Sequence, residues 1–196
     1  MELFREFRLK MGNSSLEKRI VKARRKVSYT GINSIRTIGM VWDASRTEEF
    51  SILSRFHLQM QEKGISVTLI GYYPGKELPD QYTALKYFTC LRRKELNAVY
   101  LPVSVEADKF ITTKFDILID INFNRELPLI YISSLSAASF KVGLFEKESD
   151  NRFFDLMMEL KKPVNVDDYL RNVIHYLEMI RSGKNEQVEK GHYEKV

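Results

Sequence analysis

The sequence predicts an α/β protein with a mostly parallel open sheet covered by helices on both faces, Rossmann-like in plan, behind a basic helical segment at the N-terminus. Three observations carry this expectation. A strand, helix, strand run over 37–71 has links short enough for a right-handed βαβ crossover. A strand at 115–122 is apolar on both faces, as a strand covered on both sides must be. The first 30 residues hold nine Lys/Arg against three Glu, while the rest of the chain is close to neutral.

Taken in order, Leu3, Phe4, Phe7 and Met11 share one helical face, Gly12 can end a helix, and Ser14 with Glu17 has the spacing of a capping box. That pattern predicts two short helices, the second over 15–27 with Leu16, Ile20 and Ala23 on its apolar side. TIGMVWD at 37–43 is a short apolar run with β-branched and aromatic residues, hence a buried strand. Ser45 and Glu48 repeat the capping-box spacing ahead of a helix whose inner face is Phe50, Leu53, Phe56, His57 and Met60. Gly64 stops it, and ISVTLIGYY begins the second strand. The stretch 74–97 predicts a loop with some helix, and 98–101 a short strand. FDILIDIN at 115–122 is followed by a helix over 128–138, with Pro128 in its first turn. A strand at 140–145 comes next. FFDLMMEL suits either a strand or a helix. A helix over 167–181 presents Tyr169, Leu170, Val173, Leu177 and Ile180. The resulting division is 1–33 for the basic segment, 34–182 for the α/β domain and 183–196 for a polar tail.

With 196 residues, 44% apolar and 29% charged, one core is expected. The single cysteine, Cys90, has no intrachain partner, no apolar run is long enough to span a bilayer, and arginines interrupt the start where a signal peptide needs an apolar stretch. A cytoplasmic location is the expectation.

Ligands of open α/β sheets sit at the C-terminal ends of strands. After the first strand, WDASRT lacks the glycines that let backbone approach a pyrophosphate, and Asp43 would repel one. A P-loop is also absent, so no cofactor is expected. Asp43, Ser45 and Thr47 fall where covalent phosphatases carry a nucleophile, a proton-handling Asp and a Thr, but Ser45 removes the second carboxylate. As turn and cap formers, Asp43 and Ser45 need no chemistry. Asp120, Asn122 and Asn124 alternate at the other strand exit, a pattern that suits a sugar, a cation or a simple turn. His57, His175 and His192 lack ligand spacing, and no metal site is expected. Cys90 stands near Arg92, Arg93 and Lys94, which would lower its pKa; packing is the simpler role.

From TIGMVWD through ELPD, FDILIDIN, PLIYISSLSAASFKVG and FFDLMMEL to VIHYLEMI, the chain resembles a bacterial family of uncharacterised proteins with no assigned activity. Within it, FDILIDIN followed by SLSAASFKVG resembles part of the acceptor-side domain of heptosyltransferase-type glycosyltransferases. That resemblance implies an ancestral sugar-transfer fold, but not its second, donor-binding domain, for which the chain has no room. Two functions stand side by side. One is a non-enzymatic binding module for a protein or small ligand, with Lys18, Arg19, Lys22, Arg24, Arg25 and Lys26 on an acidic surface, RNA first and anionic lipid second. The other is a degenerate or divergent glycosyltransferase- or phosphatase-like enzyme using Asp43, Asp120 and Asn122 at the sheet edge.

Overall fold

A computed structural model describes residues 2–29, 31–83, 85–145, 153–160 and 163–180. Eleven main elements follow in chain order: α1 (Glu2–Lys22), β1 (Thr37–Asp43), α2 (Phe50–Glu62), β2 (Ser66–Tyr72), β3 (Phe88–Leu91), α3 (Val105–Thr112), β4 (Ile117–Ile121), α4 (Leu127–Leu135), β5 (Phe140–Leu144), β6 (Leu156–Met158) and α5 (Val166–Met179). The six strands form one sheet in the order β3-β2-β1-β4-β5-β6, and every pairing is parallel. Numbered along the chain this is 3-2-1-4-5-6, the doubly wound dinucleotide-fold order. In register, Met40 of β1 faces Leu69 of β2 on one side and Ile119 of β4 on the other.

Alternate residues of each central strand feed opposite cores, because strand side chains alternate across the sheet. Met40, Trp42, Ile117 and Ile119 pack with Leu53, Phe56, Tyr169 and Val173 beneath α2 and α5. Val41, Ile70 and Leu118 pack with Ala107, Phe110, Leu129 and Leu16 beneath α3, α4 and α1. Trp42 is fully buried between Phe50 and Phe88, with Tyr82 edge-on at 5.6 Å. Its indole N–H donates to Glu49 at 3.0 Å, and Arg46 holds that carboxylate at 2.8 Å.

Several expectations need correction. The N-terminal segment is one helix, not two, and it ends at Lys22. Gly12 lies inside it because α1 presses on the body there: a Cβ at Gly12 would meet the Val99 carbonyl oxygen at 2.3 Å and Leu127 at 2.8 Å. The capping box at Ser45 does not form. Glu48 turns to Arg46, a 3₁₀ turn occupies Thr47–Glu49, and α2 begins only at Phe50. Residues 98–101 are not a strand. The Asn97 side chain accepts from the backbone N–H groups of Val99 and Leu101, both at 3.0 Å, and folds this stretch into a turn with Tyr100 at φ 64°. The third strand is instead FTCL, within the stretch expected to hold a loop with some helix, its alternation blurred because only Phe88 and Leu91 are buried. Helix α3 is an element that the sequence reading did not assign. It is capped by Ser104, whose side chain accepts from the Ala107 N–H at 3.1 Å. FFDLMMEL resolves as β6. The polar tail at 183–196 and His192 lie outside the described residues.

Candidate functional site

β1 and β4 lie side by side, and the chain leaves them toward opposite faces, through α2 and α4, so their C-terminal ends bound the switch point of the sheet. Asp43 closes β1. One of its oxygens accepts from Ser45, at 3.0 Å from the backbone N–H and 2.7 Å from the hydroxyl; the other accepts from the Asn124 side-chain amide at 2.6 Å. That last bond ties the two strand exits together. Asn122 works as a staple for the start of α4: its amide oxygen accepts from the Glu126 N–H at 2.8 Å, and its NH₂ donates to the Glu126 carbonyl at 3.1 Å.

Asp120 is held separately. It accepts from the Asn122 N–H at 2.8 Å and from the Ser133 hydroxyl of α4. Burial pushes its pKa up to about 6, against the pull of those two hydrogen bonds. The cavity beside it, of about 20 Å³, is walled by Asn122, Phe123 and Phe154 and holds at most one water. Asp43 is not part of that wall, so the two carboxylates each have their own partners.

Behind Asp120 lies a group with no counterpart among the sequence candidates. Lys141, the second residue of β5, is 1% exposed. Its Nζ donates to the Ser133 and Ser134 carbonyls at 2.8 and 2.9 Å, filling acceptors in the last turn of α4. Burial, with Arg25 adding to it, lowers its pKa to about 7. A neutral amine still has two N–H bonds for the two carbonyls, so the arrangement survives loss of the charge. The signal was present as a lone lysine inside the apolar run FKVGLF.

An open cavity of about 340 Å³ sits at the same edge, over the end of β2, between α1 and the first turn of α4. Arg5 of α1, Arg93, Tyr72, Tyr100 and Glu126 supply its polar wall. Arg93 is fixed by donating to the Leu96 and Asn97 carbonyls at 3.2 and 3.1 Å, and its guanidinium lies 4.5 Å from the Tyr100 ring centre. Burial raises the Tyr72 phenol pKa, and the Glu126 charge adds to it. The Glu126 carboxyl is likewise raised by burial and by Asp43, with Arg5 opposing. Sequence reading missed this group because its members come from five separate segments.

The six basic candidates divide into two sets. Arg19 donates to the Tyr131 hydroxyl and lies over that ring, and Arg25 pairs with Asp155 at 2.6 Å and reaches the Phe153 and Ser139 carbonyls. Lys18, Lys22, Arg24 and Lys26 are exposed. The outward face of α1 also shows Phe4, Phe7 and Met11, at 71, 62 and 49% exposure. Burial pushes the Cys90 thiol up to about 12, overriding Arg92, so the expected lowering is corrected. Among the described residues, no cluster of three or more His, Cys, Asp or Glu could hold a metal ion, and no helix is long and apolar enough to cross a membrane.

Strand order, helix placement and an edge cavity define an α/β protein of the doubly wound, Rossmann-like class that lacks the glycine-rich phosphate loop. Within that class, the chain belongs to DUF6913, a family of unknown function, which covers residues 8–180. No curated protein matches it, so no named relative stands behind the heptosyltransferase resemblance.

Proposed function

We propose that the protein is a non-enzymatic binding module that lies against an anionic lipid surface through the outward face of α1. One observation carries this reading: Phe4, Phe7 and Met11 form an exposed row at i, i+3 and i+7 on a helix whose opposite face is already committed to the body through Leu16. Helical spacing places Arg8 on one flank of that row and Lys10 on the other, with Lys18 and Lys22 continuing its line. An apolar stripe set between cations suits the headgroup boundary of an anionic bilayer, where rings enter the interface and ammonium and guanidinium groups meet phosphates.

RNA, the other acidic surface, has less in its favour. Arg19 and Arg25 are spent on Tyr131 and Asp155, which leaves fewer free cations for a phosphate backbone. The catalytic reading loses the pair it named, because Asp43 and Asp120 serve separate hydrogen-bond networks. Sedimentation with phosphatidylglycerol vesicles, with phosphatidylcholine vesicles and with a structured RNA tests the proposal. Binding to the anionic vesicles alone is expected, lost in the double variant Phe4→Ser/Phe7→Ser. RNA binding that survives those substitutions and weakens steeply with salt would overturn it in favour of the nucleic-acid reading.

A further inference from the structure

We propose that the 340 Å³ cavity at the C-terminal edge is a binding site for a small hydroxylated molecule carrying one oxyanion group, with Arg5 and Arg93 taking the anion and Glu126 the hydroxyls. The volume falls within the usual range for small-ligand clefts, about 300–1,000 Å³. Arg5 makes no hydrogen bond or ion pair among the described residues. Arg93 spends one nitrogen, Nη1, on the Leu96 and Asn97 carbonyls, which fixes the plane of the guanidinium and leaves its other N–H groups for a ligand. The Arg93 cation and the Tyr100 ring are therefore set before any ligand arrives.

Tyr100 is the second, independent observation. It has φ 64°, a left-handed conformation that a bulky side chain rarely adopts, and it is held there by the two hydrogen bonds to Asn97 Oδ1 on either side of it. That strain places its ring against Arg93 in the cavity wall, and strained residues of this kind concentrate at ligand sites. Tyr72, 5% exposed at the floor, has a hydroxyl with no hydrogen-bond partner among the described residues. Glu126 borders the same cavity, and its carboxyl makes no hydrogen bond or ion pair among the described residues; Asp43 and Arg5 both lie near enough to act on it, in opposite senses. A carboxylate there repels an anion and accepts from a hydroxyl. The two kinds of charge thus sort the ligand's groups: oxyanion to Arg5 and Arg93, hydroxyls to Glu126.

The test is calorimetric titration of the full chain with inorganic phosphate, ribose 5-phosphate and gluconate, the last two separating a phosphate ester from a carboxylate. At least one of these two is expected to bind more tightly than inorganic phosphate. Arg5→Gln, on an exposed residue without partners, should fold as before and weaken binding tenfold or more, and Glu126→Gln should erase the advantage over inorganic phosphate. Arg93→Lys keeps the charge but loses the fork, and should also weaken binding. Absence of heat with all three probes overturns the inference, as does equal affinity in Arg5→Gln. The variant Phe4→Ser/Phe7→Ser should bind the ligand normally, so failure here leaves the lipid reading standing, and the converse holds too.

Discussion

Substituting Gly12 decides whether α1 is part of the body, because the two possibilities predict opposite signs. On a helix free of the body, Gly12→Ala stabilises by about 1 kcal/mol, since glycine loses more backbone entropy and alanine is the best helix former. On the docked helix, the new methyl would stand 2.3 Å from the Val99 carbonyl oxygen, about 1 Å inside an ordinary C···O contact. That oxygen cannot move aside cheaply. The Val99 N–H is bonded to Asn97 in the turn that also fixes Tyr100. Leu127, at 2.8 Å, can rotate but is itself buried. The helix must therefore lift, and overpacking of this kind costs about 1–3 kcal/mol. A lift near 1 Å also forfeits a quarter to a half of the dispersion at contacts such as Leu16, 3% exposed.

Set against the propensity gain, the net expectation is a loss of about 1 kcal/mol for Gly12→Ala. Gly12→Leu cannot seat at all and should lose the docking outright, about 3 kcal/mol with Leu16 returned to water and its neighbours loosened. Urea denaturation followed by circular dichroism measures both, with Ser14→Ala on the exposed side as the control that gains a few tenths of a kcal/mol. A rise in stability for Gly12→Ala would refute the docking and mark the segment as a removable appendage.

Three further substitutions test the interior. Tyr169→Phe should raise stability by about 1 kcal/mol, because the Tyr169 hydroxyl is buried without a partner among the described residues while the ring contact with Phe123 is kept; a loss would show that the hydroxyl is satisfied. Ile119→Ala, fully buried between β1 and β5, should cost about 2–5 kcal/mol in the same urea assay, and a loss under about 1 kcal/mol would contradict a strand covered on both faces. Lys141 titrates at about 7 when folded against 10.5 when unfolded, so between those values the unfolded chain binds more protons and stability rises with pH. The contribution is complete above 10.5 and lost as pH falls through 7. Asp120, raised from 3.8 to about 6, acts in the opposite sense over its own window, with stability lost as pH rises through 6. Urea midpoints measured from pH 7 to 9, below the range in which Cys90 acts in the opposite sense, should climb in the wild type and flatten in Lys141→Met; parallel curves would refute the assignment.

What could be read from the sequence was what local pattern encodes. β1, β2, β4 and β5 are central or nearly so and buried on both faces, and their apolar runs are continuous enough to be seen. β3 sits at the sheet edge with Thr89 and Cys90 half-exposed, so its run breaks up, and the apolar residues after Asn97 drew the strand assignment instead. Gly12 was misread for a related reason. A glycine within a helical pattern serves equally as a stop or as a place of close approach, and only the position of Val99, far along the chain, separates the two. At the site, Asp43, Asn122 and Asn124 were legible as polar strand exits. Arg5, Tyr72, Arg93, Tyr100 and Glu126 were not, because no spacing links residues that meet only through the topology.

The same contacts explain why the cavity lies where it does. In dinucleotide-binding proteins of this fold class, a glycine loop after the first strand lets a pyrophosphate reach the start of the following helix. Here the β1 exit is filled. Trp42 draws Phe50 and Glu49 into the core, a 3₁₀ turn replaces the first turn of α2, and Asp43 places a carboxylate where phosphate would lie. Asn124 then bridges to Asp43 and shuts the gap between β1 and β4. Space remains on the β2 side, where β3 is short and α1 crosses over α4, and the cations that border it come from α1 and the β3–α3 connection rather than from the β1 loop. A ligand there would meet side chains instead of backbone N–H groups. Its recognition therefore depends on guanidinium and phenol chemistry that the nucleotide fingerprint does not describe, and substitutions in WDASRT should alter stability more than binding.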